Sequence, residues 1–569
     1  MREVLSLQVG RSANFVGAHF WNFEDELAVY AGERGDLQDR YHPSVLFRVS
    51  QDRNRASGDD VIYTPRLLVF DTRDGLGGMH PKGTLQSPEA VDSSSIAQVW
   101  VGDVRKVYQE PHPVNAFQRF LTEDEQERGL EEGQGKWEGD EAPESEDNYE
   151  ANPLLTTCHP YGLDESVTHW TDYTKCHIHS STVQQLPFRD ISPDFDAHAA
   201  GTADQTVSAL GAEVMEDYVD ALRKQLEECD AIQGVLTLGD MKGGWGGLTA
   251  QLLGELRDEC RACPISCTAL QASLRQHGSS SDRALAVVNA ALSLYTLGQT
   301  SDLINLIGDP ATVTPSGISP HLAVDAEKPY HTSALTAAAL NMVTTPFRFQ
   351  ASHSTRAGSV AEWVRESCHG PFDCMKYATT TMSFPFADCA QGEEALRGLL
   401  VAPKALLQGD FERSGLPSYM GWLGPPAPGG AALTAEGCVK RFSQMLVTRG
   451  LNPPPLGQQA ILKEAQSRLH CRSSSAAHPF ATPLPMPLSY PLIFRDTLNE
   501  EGQKVCDPVL APSSKQRMLC RSVGGLAAME CSSTLHPFLK EVAEGLQLTS
   551  PKIQVQLVKN GLHSDDVSE

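Results

Sequence analysis

No stretch of this chain offers the roughly 18 consecutive apolar residues that a membrane-crossing helix needs, so any contact with a bilayer is expected to be peripheral. Basic charge is also short: 46 lysines and arginines face 72 aspartates and glutamates, a formal net charge of −26. A nucleic-acid binder needs a basic surface to displace counterions, and anionic lipid attracts polybasic segments, so neither partner fits this balance. The 14 cysteines follow no framework spacing and no signal peptide is read, which points to a reduced compartment such as the cytoplasm. Catalytic signatures are missing too. There is no Gly-x-Ser-x-Gly elbow, no His-Glu-x-x-His and no complete phosphate-binding loop with its lysine and serine.

What is present is length and one informative stretch. The 569 residues exceed one simple core and suggest two or three domains. Residues 228–259, ECDAIQGVLTLGDMKGGWGGLTAQLLGELRDE, have the grammar of strand, glycine-rich turn and helix. Such a turn aims backbone N–H groups and a helix N-terminus at one spot, which suits a phosphate, although similar turns also serve packing alone. Earlier, 4–9 reads as a strand, 10–14 as a turn and 15–27 as a helix with Val16, Phe20, Phe23 and Leu27 on one face. Residues 63–75, YTPRLLVFDTRDG, resemble the second strand and loop of tubulins, a likeness that would set Asp71 at the carboxyl end of a buried strand, where open α/β sheets bind ligands.

The stretch CDAIQG, the glycine loop and LLGELRDE together resemble the signature of tubulin and FtsZ-type GTPases, and MREVLSLQVGRSANFVGAHFW resembles the tubulin opening. Residues 213–228, VVNAALS within 283–297, and SALTAAALNMVTTPFRF at 333–349 add three more likenesses in the same order. With segments such as HWTDYTKCHIH, the chain is identified as a member of the Misato family, whose resemblance runs from Met1 to about Asp565. That resemblance implies an α/β, tubulin/FtsZ-like fold with a mostly parallel sheet flanked by helices and a divergent second α/β domain. It also implies a role in mitochondrial distribution, morphology and fusion, through protein partners at the mitochondrial surface or cytoskeleton. The place would be the cytoplasm, peripherally at the outer membrane. The strand pattern directly after Met1-Arg2-Glu3 replaces the Arg-rich presequence that matrix import would need.

The resemblance maps a nucleotide pocket onto Gly10, Arg11, Ser12, Asn14, Asp71, Lys242, Gly243, Gly244, Gly246 and Asn289. GTP or GDP is the one group such a pocket could retain; no cofactor is required by the residues. Several family positions are replaced. Trp245 stands for the phosphate-facing threonine, Arg73 for an acidic residue on the metal side, and Ala286 for the ribose-side glutamate. Arg73 would repel a hydrated magnesium. The loop that a neighbouring tubulin subunit inserts to complete catalysis reads Pro329 to Leu335 here, without its amide or carboxylate, and Ala337 takes the place of the catalytic glutamate.

Two functional readings follow: a non-enzymatic, tubulin-like protein that works through its surface, and a GTP-binding, polymerising GTPase. A zinc-dependent structural module is a third. His169, Cys176, His177 and His179, with Cys158 and His159, are zinc-capable, but strand alternation sets His177 and His179 on one face and Cys176 on the other, so no metal site is assigned. Cys260, Cys263 and Cys267 read as ordinary buried small residues.

The organisation expected is a tubulin-like segment over 1–120, an acidic insertion over 121–150, continuation of the nucleotide-domain fold over 151–350, and a divergent region over 351–569. That last region has Pro- and Gly-rich loops at 424–430, 452–457 and 479–491 and helices at 458–469 and 534–546. Residues 121–150 hold 13 acidic and two basic residues with few apolar ones, a composition that cannot offset its ordering entropy. Deleting 121–150 is expected to lower Tm by no more than a few degrees, about 1 kcal/mol for a large domain; a collapse of the melting transition would show that the insertion packs.

Overall fold

The computed structural model describes residues 2–33, 39–51, 61–78, 113–121, 155–156, 158–190, 195–202, 209–274, 280–311, 319, 321–350, 357–368, 376–385, 421–425, 441–450, 475–505 and 516–547. The expected acidic insertion beyond Leu121 and the helix at 458–469 lie outside these residues. So do the loop at 452–457 and most of the loop at 424–430.

Among the described residues eleven strands form one sheet: β1 Glu3–Val9, β2 Leu67–Asp71, β3 Val183–Gln185, β4 Ile232–Asp240, β5 Ile265–Gln271, β6 Leu303–Gly308, β7 Tyr377–Ser383, β8 Gly421–Trp422, β9 Arg441–Arg449, β10 Ser475–Phe480 and β11 Gly525–Ser532. From β3 through β2, β1, β4, β5 and β6 to β7 every pairing is parallel. Strands 4–9 and 232–238 were expected to share a sheet, and they are direct neighbours, with Val4 opposite Gly234 and Val9 opposite Gly239. Both faces of this part are covered, so β1 is buried along its whole length.

One face carries α2 Ala212–Glu227, α3 Gly244–Glu259 and α4 Ser280–Thr300, packed on Leu5, Leu7, Val235 and Ile265, with α7 His536–Gln547 lying on α4. The other carries α1 Arg11–Glu33, α5 Pro329–Val343 and α6 Val360–Cys368, packed through Val16, Phe23, Leu340, Val343 and Trp363. Helix α5 is buried on all sides from Tyr330 to Val343, and its polar side chains His331, Thr332 and Asn341 are hydrogen-bonded inside the chain.

Two expectations change. The turn foreseen over 10–14 shrinks to Gly10 alone (φ 104°), and α1 starts at Arg11, because the Asp240 carboxylate receives the first helical N–H groups. The region after about residue 350, foreseen as a divergent second α/β domain, keeps to itself among the described residues a two-stranded pairing of Leu484–Pro485 with Ser522–Val523. Its longer strands join the first sheet: β7 pairs with β6, β11 and β9 follow antiparallel, and β10 closes the edge parallel to β9. The open side of β6 is a row of unpaired backbone groups, and extending the sheet satisfies it.

The two halves are tied by a fully buried polar network. The Glu24 carboxylate on α1 receives the Tyr41 hydroxyl (2.8 Å), the Asn341 amide (2.5 Å) and the Arg348 guanidinium, with which it forms an ion pair. Arg449, at the end of β9, donates to Asn341 Oδ1 (2.8 Å) and to the carbonyls of Thr482 and Pro483. Burial, and then the nearby Arg449, pushes the Arg348 guanidinium well below its usual range. Breaking one side of such a pair strands a charge in the core. Arg348→Met is expected to cost about 3–5 kcal/mol in urea unfolding, with Glu24→Gln in the same chain recovering part of it; a single-variant loss under about 1 kcal/mol would show that the pair holds nothing.

Candidate functional site

At the carboxyl ends of β1, β2, β4 and β6 the chain assembles most of the residues that the sequence singled out, and adds two aspartates. Asn14, in the first turn of α1, donates its amide to Asp71 Oδ2 (2.8 Å) and to the Phe70 carbonyl (3.1 Å). Asp71 also receives the Thr72 N–H (2.7 Å) and the Trp170 indole N–H (2.9 Å). Burial raises its pKa, opposed by the hydrogen bonds from Asn14, Trp170 and Thr72. Asp71 is therefore a held structural acceptor, with no side-chain oxygen turned to solvent: the residue is 1 % exposed.

The N-terminus of α1, a natural anion seat, already has an occupant. Asp240 Oδ2 and Oδ1 accept from Ser12 N–H (3.0 Å) and Ala13 N–H (2.9 Å). A side chain at Gly10 would collide with this carboxylate, at 2.6 Å from Oδ2. Burial pushes the Asp240 carboxyl well above the ordinary range, with Asp309 next in effect, against those two N–H groups. Asp309 is likewise raised by burial and accepts from Ala311 N–H (2.9 Å). Arg11 is exposed and reaches the Thr168 carbonyl (3.3 Å), and Lys242 and Arg73 are exposed.

The glycine turn opens α3 as foreseen, with Gly243 at φ 56° just ahead of it. Its inner side faces the chain's own segment 195–201. A Cβ at Gly244 would lie 2.6 Å from the Phe195 ring, one at Gly246 2.3 Å from Ser293 Oγ, one at Gly247 1.9 Å from the His198 carbonyl, and one at Gly201 1.8 Å from the Gly244 carbonyl. These glycines let two backbones touch. Trp245 is 3 % exposed and meets Phe195 edge-on at 5.3 Å. Asn289, matched to the ribose side, instead pins this segment: it accepts from His198 N–H (2.9 Å) and donates to the Asp196 carbonyl (2.8 Å). Burial lowers His198 to about 4, so its ring is neutral at pH 7.

The loop matched to tubulin's inserted loop is also inward. Tyr330 is 2 % exposed, and Thr332 and Ser333 are fully buried. Tyr330 donates to the Ser489 carbonyl (2.7 Å) and accepts from His19 Nε2 (3.0 Å). Thr332 donates to the Pro310 carbonyl (2.7 Å). His331 Nδ1 accepts from Asp325 N–H, which leaves Nε2–H to donate to Asp164 Oδ1 (2.8 Å).

With that geometry in hand, comparison with known proteins is informative. Residues 2–123 match the Misato Segment II tubulin-like domain, and 159–349 match the Tubulin domain. The chain is 26 % identical to Protein misato homolog 1 of Homo sapiens over 597 residues, covering 100 % of this chain and 96 % of the relative. The chain belongs to the Misato family. Protein DML1 of Gibberella zeae is 27 % identical over 364 residues, 63 % of each chain, and Protein misato homolog 1 of Danio rerio is 28 % identical over 373 residues.

Within this Misato chain the zinc-capable residues do not converge. Among the described residues there is no group of three or more histidine, cysteine or acidic side chains able to hold a metal. Cys176 and Ile178 face the core while His177 and His179 face outward, as alternation suggested, but on irregular chain rather than a strand. Cys263 and Cys267 are buried and Cys260 is half-buried. Sequence reasoning missed Asp240, Asp309, Trp170 and the segment 195–201. Asp240 was findable, as an acid on the last residue of a buried strand ahead of the glycines; the segment's return onto α3 was not.

If the glycines serve contact rather than ligand, Gly247→Ala should destabilise by about 1–3 kcal/mol through overpacking. Gly254→Ala on the same helix, with nothing within 4 Å of its Cβ, should be neutral or stabilising by about 0.5–1 kcal/mol. Equal responses of the two in thermal melts would contradict the packing role.

Proposed function

We propose that this Misato-family chain is a tubulin-like protein that works without catalysis, through its surface on protein partners, in mitochondrial distribution, morphology and fusion. The mitochondrial part, with its cytoplasmic and peripheral outer-membrane setting, rests on the family resemblance. In support of a peripheral setting, no helix among the described residues is long and apolar enough to cross a membrane. The non-catalytic part rests on one observation above all: the segment from Tyr330 to Leu335, which a tubulin-type partner would have to receive, is buried in its own chain. Catalysis shared across an interface needs that loop free. The Asp240 carboxylate at the α1 N-terminus and the segment 195–201 over the glycine turn support the same reading from the nucleotide side. Each absent catalytic group is worth about 3–4 kcal/mol of barrier, and such losses are not simply additive.

A GTP-binding, polymerising GTPase is the alternative that the retained Gly10, Asn14 and Asp71 keep open to test. Purified protein incubated with GTP should release phosphate no faster than a heat-killed control, form no sedimentable polymer, and yield no guanine nucleotide on denaturation. Steady turnover that is abolished by Asp71→Ala would overturn the non-catalytic reading in favour of the GTPase.

A further inference from the structure

On the sheet face away from the glycine turn, between β1, β4 and β5 below and α1, α5 and α6 above, lies a cavity of about 60 Å³. That is room for about four to six waters. Its upper wall is aromatic and aliphatic, with Phe20 and Trp21 of α1, Val343 of α5 and Trp363 of α6. Trp363 is fixed by its indole N–H on the Val343 carbonyl (2.8 Å). The floor is of another kind. Ser6 and Gln8 of β1 and Ser266 and Thr268 of β5 line it, at mid-strand positions where a sheet covered on both faces normally carries valine, isoleucine or leucine. The opposite face of the same strands obeys that rule, with Leu5, Leu7, Cys267 and Ala269.

None of the four polar floor side chains has a hydrogen-bond partner among the described residues. Thr268 and Leu236, in the middle of central strands, are only partly buried, so the space reaches the heart of the sheet. No ionisable side chain is among the described residues lining it. A charged guest would be desolvated there without a counterion, and a hydrocarbon would leave the floor groups unmatched. A guest with an aliphatic body and one hydroxyl or carbonyl matches both walls.

We propose that this cavity is a binding site for a small uncharged amphiphile of that kind, seated with its polar group on the Gln8, Ser266 and Thr268 floor and its body under Phe20 and Trp363. The site is independent of the nucleotide-type pocket and of the mitochondrial reading.

The test titrates the full-length protein with cyclohexanol and 1-pentanol, following Tm and tryptophan emission, with pentanoate as the charged control. The alcohols should give a saturable rise in Tm of a few degrees, and pentanoate none. Thr268→Val keeps the volume and removes one hydroxyl, and should weaken alcohol binding about 5- to 10-fold, the worth of one hydrogen bond. Ser266→Leu, which fills the space, should abolish the response while leaving the circular dichroism unchanged; should that variant not fold, the Thr268→Val titration decides. A response that is linear in alcohol, equal for pentanoate, or undiminished in Thr268→Val overturns the proposal. So does no response at all, which would mean that the cavity holds water only.

Discussion

A carboxylate with no water around it sets the terms for this fold. Glu24 sits on α1 at 0 % exposure, and its two oxygens are shared among Tyr41, Asn341 and Arg348. Through Asn341 the network runs on to Arg449 on β9, and from there to the carbonyls of 482 and 483. Segments more than 400 residues apart in sequence are thereby held in one register. A buried ion pair contributes little net stability over a well-packed apolar substitute, but an incomplete one is very costly. The network therefore penalises arrangements in which the C-terminal strands fail to close on α1 and α5. It fits the finding that the longer of those strands extend the first sheet.

The same economy of position governs the region at the carboxyl ends of the strands. A helix N-terminus offers unpaired N–H groups that some acceptor must meet. In α1 that acceptor is Asp240, supplied by the neighbouring strand, and in α3 the covering group is the segment 195–201 pinned by Asn289. The sequence features that resemble a phosphate cradle thus do the closely related work of packing backbone on backbone and capping a helix internally. The elements match the Tubulin domain, while the groups that fill the space between them belong to this chain.

Inward packing of α5 completes that picture. A loop used between subunits must keep its first turn in solvent, whereas here Tyr330, Thr332 and His331 spend their hydrogen bonds on Ser489, Pro310 and Asp164 of the same chain. The cavity over Gln8 and Thr268 shows that the helical layer on this face does not close fully on the sheet.

Local pattern alone determined a good deal about this protein. Alternation and 3.6-residue spacing were enough for β1, β4 and the helix expected at 534–546, which runs His536–Gln547, because each of these buries a face of its own. The burial of Cys263 and Cys267 was legible for the same reason. The helices now seen at Ala212–Glu227 and Ser280–Thr300 were marked by family likeness over 213–228 and 283–297, and the strand-end position of Asp71 by the likeness of 63–75. Tertiary structure decided what local pattern could not encode. Helix α1 begins four residues earlier than its apolar periodicity suggests, because its cap is Asp240, 228 residues downstream of Ser12. The glycines of 243–247 read equally as ligand seat or packing surface until Phe195 and His198 are seen against them. The C-terminal region joins the first sheet because the edge of β6 needs a partner, and no local propensity names which strand will meet that need.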